Sequence, residues 1–399
     1  MSMPMWRRNL IVCWFGMFVT SVGMSQLAPV LPLYIRQLGV GRTDLIEQYS
    51  GIAFGITFIV SAVFSPVWGY AADRVGRKPM LLRASLGMAI VLFCMGFVRD
   101  VYQLIELRFL QGAITGYTTA CITLIATQTD KEHAGWALGT LSTSSIVGSL
   151  LGPMIGGYIA ESLGLPYVFF ITGGLLMVAF LTTLFFVKET FVRPSEKTPG
   201  ATQVWQSIPH KRLTVTVFAT YFMLMLGLYS IEPIVTIYVS QLSADAQHVA
   251  LVSGLVFSAS GLANILAAPR LGKISDKIGP QKVMLVALVA AGIIFIPQAF
   301  VSDPWQLLAL RFLLGLATAG LNPSVNTLIK RLTPDELAGR VFGFSMSAAY
   351  LGAFAGASMG GEIASIFGMR YVFFTTSALM LANAALVYFS IYRKLNRTA

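Results

Sequence analysis

The sequence predicts an all-α integral membrane protein, with twelve transmembrane helices arranged as two pseudo-symmetric six-helix bundles. Three observations predict it. The 399 residues are 56% hydrophobic and 11% charged, whereas soluble domains carry about 25% charged residues. Apolar runs long enough to cross about 30 Å of hydrocarbon recur along the whole chain. The two halves also repeat each other at a shift of 203 to 204 residues.

In order, the predicted spans are 9–33, 47–71, 80–98, 102–124, 136–160, 167–187, 213–238, 249–271, 283–300, 305–327, 341–363 and 371–391. Each must be helical, because an open strand would leave backbone groups unsatisfied in lipid. The first span follows Arg7 and Arg8. It is longer than the apolar core of a signal peptide, about 7–15 residues, and is expected to be retained. The longest connector, 188–212, is polar and carries Pro194, Pro199 and Pro209. It reads as a cytoplasmic central linker between an N-terminal bundle, 1–187, and a C-terminal bundle, 213–399.

Basic residues set the orientation. With both termini cytoplasmic, 22 of the 28 Lys and Arg residues fall inside, and Arg36, Arg42, Arg99 and Arg370 fall outside. Arg108 and Arg311 lie within spans. The excess of 28 basic over 17 acidic residues therefore belongs to connectors. It forms no arm or face for nucleic acid, and the expected surroundings are the lipid bilayer. Cys13, Cys94 and Cys121 stand alone in apolar runs, so neither a disulfide framework nor a metal site is expected.

The duplication is visible residue by residue. "VYQLIELRFLQG" (101–112) matches "PWQLLALRFLLG" (304–315), placing Arg108 against Arg311. Gly139, Gly148, Gly152, Gly156 and Gly157 match Gly343, Gly352, Gly356, Gly360 and Gly361. Parallel six-helix repeats around a midplane site are a transporter plan. Gly356-Ala357-Ser358-Met359-Gly360 fits a hydrolase G-x-S-x-G pattern, but it lies inside an apolar span with no strand before it. No Walker A pattern occurs, and no enzymatic residue set is expected.

Three motifs carry chemistry. "GYAADRVGRKPM" (69–80) concentrates Asp73, Arg74, Arg77 and Lys78 between Gly69 and Gly76. An ordinary positive-inside hairpin accounts for the basic residues but not for the acid or the glycines. Glycine is expected where the backbone turns, and Asp73 can accept from backbone N–H groups or pair with a basic side chain. The second copy keeps Gly272, Asp276 and Gly279, with Pro280 and Gln281 where the first has Arg77 and Lys78. In span five, glycines at 148, 152 and 156 line one helix face beside Pro153 and Gly157, a pattern that lets backbones approach closely. A buried Arg108 would face a cavity or an acid, unless it snorkels to the interface.

Glu232 lies in the outer part of span seven beside Pro233, opposite the neutral Ala28 of the first half. A carboxylate held away from water can exchange a proton or attract a cation; the alternative is a residue at the outer interface. Gln26, Tyr229 and Asn322 are further polar candidates for proton coupling or substrate contact, or for interhelical hydrogen bonds. Glu47 and Glu362 sit at span ends and are expected to be solvated.

"GYAADRVGRKP" resembles the loop 2–3 signature of the major facilitator superfamily, with Ala71 in place of the more usual Leu. The span-four stretch around Arg108 resembles the family's proton-coupling motif. The Gly148–Gly157 string is similar to the antiporter motif of its drug:proton exchangers, though Pro153 becomes Ala357 in the second copy. The resemblance implies a bacterial multidrug exporter of the cytoplasmic membrane. It would be monomeric, take amphiphilic small molecules, need no cofactor and be driven by protons through the membrane gradient. Asp73 and its neighbours, with Asp276, would form a cytoplasmic gate. A lipid translocase or a polar-solute facilitator on the same fold remains the alternative.

Overall fold

A computed structural model describes residues 4–191, 205, 207–209, 211–243, 248–333 and 338–393. Most of the central linker lies outside these. The described residues form helices joined by short turns. α1 (Met5–Ser25) and α2 (Leu27–Gln37) make the first predicted span. α3 (Thr43–Val75), α4 (Arg77–Met95), α5 (Val101–Ile114) and α6 (Tyr117–Gln128) follow, then α7 (Lys131–Ser162) and α8 (Leu165–Phe186). The second half holds α9 (Lys211–Ile231), α10 (Val235–Leu242), α11 (Val249–Ile278) and α12 (Pro280–Gln298). It ends with α13 (Pro304–Thr318), α14 (Leu321–Leu332), α15 (Ala338–Phe367) and α16 (Met369–Val387). Among the described residues, eleven helices or helix pairs are long and apolar enough to cross a membrane, and twelve when the bent pair α1–α2 counts as one span.

Four predicted spans are broken: the first, fourth, seventh and tenth. Gln26 separates α1 from α2 with a bend of 48°. Thr115 and Gly116 separate α5 from α6, where Gly116 takes φ +122°. Residues 232–234 form a turn between α9 and α10, and Ala319 and Gly320 part α13 from α14. A break recurring every third span shows a three-helix unit within each half, as in transporters built from nested repeats.

Contacts divide the chain into two compact units. One comprises Met1–Gly41, Ile59–Glu196 and Asp245–Ser258; the other comprises Arg42–Phe58, Lys197–Ala244 and Ala259–Ala399. α3 and α11 therefore each contribute one end to one unit and the rest to the other.

The sequence repeat extends to single interactions. In the first unit the Tyr34 hydroxyl donates to the Met95 carbonyl at 2.7 Å, and its ring lies 4.9 Å from Phe169. In the second, the Tyr238 hydroxyl donates to the Gln298 carbonyl at 3.0 Å, with its ring 5.2 Å from Phe373. Gln26 bonds Thr172 Oγ1, and at the matching positions Ser230 bonds Thr376 at 2.7 Å. Asp100 caps α5 through the N–H groups of Tyr102 and Gln103, and Asp303 caps α13 through that of Trp305. Such buried hydroxyl and amide pairs satisfy groups that lipid cannot.

Candidate functional site

The break after α9 places Glu232 where a helix would otherwise have hidden it. Pro233 cannot donate a backbone bond, so the chain turns through 232–234 before α10 begins. Glu232 is half-buried there and lies within electrostatic reach of Arg311 and of Tyr229. Tyr229 packs among rings. Its centroid is 4.9 Å from Phe58 and 6.1 Å from Phe54, and Phe58 is 6.3 Å from Tyr350. An acid within electrostatic reach of a packed aromatic cluster can attract a cation, because both carboxylate and ring faces carry negative charge. Sequence reasoning singled out Glu232 and Tyr229 as candidates but not Phe54, Phe58 or Tyr350, whose rings pack in the same cluster as Tyr229. Aromatic residues four apart on α3 were the available signal, and it is indistinguishable from ordinary core.

Arg108 is 1% exposed, so it does not snorkel to an interface. Its Nη1 donates to Gln111 Oε1, one turn along the same helix, and Gln111 Nε2 reaches Met24 Sδ at 3.4 Å. The twin, Arg311, is 6% exposed. Leu314 stands where the first copy has Gln111, and Nε and Nη2 of Arg311 have no hydrogen-bond acceptor among the described residues. The repeat thus holds one arginine locked by a neutral amide and one left facing the field of an acid. Gln26 is buried at the first break and bonds Thr172. Asn322 is exposed near the start of α14.

At the basic-rich end, the expected loop is almost wholly helix. α3 runs through Gly69 to Val75 and α4 starts at Arg77, so Gly76 alone makes the turn, at φ +96°. Gly69 is helical with open space around it, and the frame of two turning glycines is corrected to one. Gly279 repeats the turn at φ +97°. Asp73 Oδ1 takes a 2.6 Å bond from Arg77 Nη2 across the Gly76 turn, and Arg74 lies over the Tyr70 ring at 4.2 Å. The orphan N–H groups at the start of α4 are not capped by Asp73. Glu189 caps them, accepting from the backbone of Arg77 and of Lys78 at 2.8 Å each. Lys78 Nζ donates to the Leu184 carbonyl at 3.0 Å. Glu189 was not anticipated, because nothing in its spacing ties residue 189 to residue 77. The side chain of Asp276 lies outside the described residues.

The glycine string is a pair of backbone seams. A Cβ at Gly148 would lie 2.8 Å from the Phe18 carbonyl oxygen, one at Gly152 2.9 Å from that of Val22, and one at Gly156 2.6 Å from Gln26 Cβ. These three seat α7 on α1. Gly157 faces the other way, onto the backbone of Ala250, while Gly254 faces the Pro153 carbonyl. The second unit repeats the arrangement: Gly352, Gly356 and Gly360 on Phe222, Leu226 and Ser230, with Gly361 on Glu47 and Gly51 on Ala357. α7 continues through Pro153 without interruption. Gly139 has nothing within 4 Å and takes no part. Glu47, expected in solvent, is 4% exposed, because the close approach of α15 at Gly361 covers its turn of α3. Glu362 is exposed and accepts from Gln48 at 3.1 Å. Beyond these seams, His248 Nδ1 contacts Glu161 Oε1.

Comparison with known proteins agrees with this architecture. A family profile described as Major Facilitator Superfamily matches residues 13–253 and 217–398. The chain is 44% identical over 390 residues to the protein named Multidrug resistance protein MdtG of Salmonella typhimurium strain LT2, covering 98% of this chain and 96% of that one. It is 43% identical, with the same coverage, to the protein of that name from Salmonella paratyphi B. Among solved structures, a bacterial homologue of the human lysosomal transporter Spinster, in an inward-facing unoccupied state, superimposes with a TM-score of 0.79 at 14% identity. That match covers 98% of each chain. The human organic anion transporter MFSD10 matches with a TM-score of 0.71 at 16% identity, over 96% of this chain and 100% of that one. On the profile match, the near-complete coverage of the bacterial relatives and the duplicated bundles, the chain belongs to the major facilitator superfamily.

Proposed function

We propose that the chain exports amphiphilic drugs across the cytoplasmic membrane of a bacterium in exchange for protons, by alternating access. The observation that carries this reading is Glu232, set at the break of a span and within electrostatic reach of Arg311 and Tyr229. Broken spans are where secondary transporters place substrate and coupling ions. The relatives named for multidrug resistance support the substrate class.

Glu232 is the proton or cation site and Arg108 a coupling residue. Gln26, Tyr229 and Asn322 contribute polar contacts along the path. Asp73 with Arg77 forms the cytoplasmic gate. Arg74, Lys78 and Gly76 complete that turn, and Asp276 is the reduced second copy. The Gly148–Gly157 segment is a leak-tight helix contact. Both termini lie in the cytoplasm, and the working form is a monomer. The transporter performs no chemistry on its substrate and needs no cofactor beyond the proton gradient.

Drug-dependent proton release from proteoliposomes holding the purified chain tests this directly. A panel of cationic and neutral amphiphiles should elicit proton movement opposite to drug. Drug export that persists after the gradient is collapsed would overturn the coupling.

A further inference from the structure

We propose that Arg83, stacked on Trp68, is a positioning residue for proton coupling. The pair holds the break of span four, and with it Arg108, and ties that break to the gate turn between α3 and α4. The inference rests on the export reading above and names residues that serve it.

α5 ends at Ile114, and a helix end leaves its last carbonyls without intrahelical donors. Away from water each must find another partner. α3 and α4 supply them. Ser61 Oγ donates to the Gly112 carbonyl at 3.2 Å, and Trp68 Nε1 to that of Ala113 at 2.6 Å. Arg83 Nη2 donates to the Thr115 carbonyl at 2.9 Å, its only hydrogen bond among the described residues. The Arg83 guanidinium lies 3.6 Å from the centre of the Trp68 ring, a cation–π stack. A positive group at a helix C-terminus also complements the macrodipole.

The second half lacks this brace. Leu271 and Val286 stand where the first half has Trp68 and Arg83, and Ala319 stands where it has Gly116. There the backbone stays close to a right-handed helix: Ala319 has φ −56°, and its N–H bonds the Gly315 carbonyl at 3.1 Å. In the first half Thr115 is extended, with ψ 172°, and Gly116 takes φ +122°. The bundle therefore folds without a Trp–Arg pair, and the pair accompanies the span that is fully broken. Arg108 lies one turn before Gly112 on α5, so the brace fixes the end of the half-helix that carries it. The same two helices form the gate turn, where Asp73 of α3 meets Arg77 beside Gly76. Asp73–Arg77 and Trp68–Arg83 are successive links between α3 and α4, and a shift of the gate turn reaches the break through the second.

Proteoliposomes holding the full-length chain, with ethidium as probe, separate positioning from folding. Two rates are read: ethidium transport driven by an imposed proton gradient, and ethidium exchange without one, which needs alternation but no proton step. Arg83→Val installs the second-half residue. It should lower driven transport about tenfold, the effect of losing a charge-assisted bond, and leave exchange and ethidium Kd unchanged. Trp68→Leu should do the same, and the double variant should be no worse than either, because the two side chains act as one unit. Arg83→Lys keeps a charged donor and should recover most of the driven rate. Equal loss of exchange and driven transport would overturn the proposal, as would an unimpaired Arg83→Val, additive losses in the double variant, or a Lys variant as poor as Val. If Arg83→Val does not fold, Trp68→Phe, which keeps the ring but loses the bond to Ala113, decides by the same two rates. An unaltered chain that transports no ethidium under the gradient refutes export itself, whereas a driven rate lost only in the variants bears on positioning.

Discussion

Glu189 grips the start of α4 through Arg77: its Oε1 accepts the Arg77 backbone N–H at 2.8 Å, while Oε2 takes that of Lys78. A carboxylate at a helix N-terminus satisfies orphan donors and complements the positive end of the macrodipole. The end of the first bundle is thereby tied to the same turn that holds the Asp73–Arg77 pair. Asn9 and Gln128 bind the neighbouring backbone in the same way, bonding both groups of Lys188 and of Thr190.

Removing that grip should loosen the turn without touching the motif. Glu189→Ala is expected to destabilise the protein by about 1–2 kcal/mol, the usual cost of a lost cap. Thermal unfolding of the detergent-solubilised chain measures it, and Glu189→Gln should retain part of the effect. An unchanged melting curve for Glu189→Ala would dismiss the cap as incidental.

Asp73→Asn should behave in the opposite way. An ion pair that spans the Gly76 turn, with its acid 45% exposed, contributes only about 0.2–1 kcal/mol. Melting should therefore barely move while drug efflux is lost. Resistance that survives in cells holding normal amounts of the variant in the membrane would end the gate assignment.

The glycine string makes a prediction with an internal control. Gly152→Val places carbon against the Val22 backbone and the Ser25 side chain, and backbone cannot yield as a side chain can. Export and monodispersity should both fail. Gly139→Ala enters open space and should be neutral, or stabilising by about 0.5–1 kcal/mol from helix propensity. Drug resistance and size-exclusion profiles of the two variants should diverge sharply; matching profiles would remove the packing argument.

Glu232→Gln should reduce export of cationic drugs more than of neutral ones, because only the former need its charge. Accumulation assays with paired charged and uncharged probes report the ratio. Equal retention of both classes would remove the role assigned to Glu232.

Hydropathy and self-similarity are properties of a line, and they sufficed for the spans, the duplication and the two motif copies. A span must be apolar for about twenty residues wherever it lies, and a repeat is visible without folding. The breaks at Glu232-Pro233 and Gly116 were not anticipated, because hydropathy runs unbroken through both spans, although Pro and Gly are residues that can end or turn a helix.

Partnerships were a different matter. Glu189 meets Arg77 across 112 residues, and Gly157 meets Ala250 across a gap that no periodicity bridges. Glu47 resembles a solvated span end until α15 closes over it. Arg108 and Arg311 are twins in the chain, and the substitution at Leu314 is visible there. Its consequence is not, because whether a buried charge finds an acceptor depends on every element packed around it. The linear pattern settles which residues can enter the membrane; which of their polar groups are satisfied is set by three-dimensional neighbours, since a hydrogen bond extends about 3 Å whatever the separation along the chain.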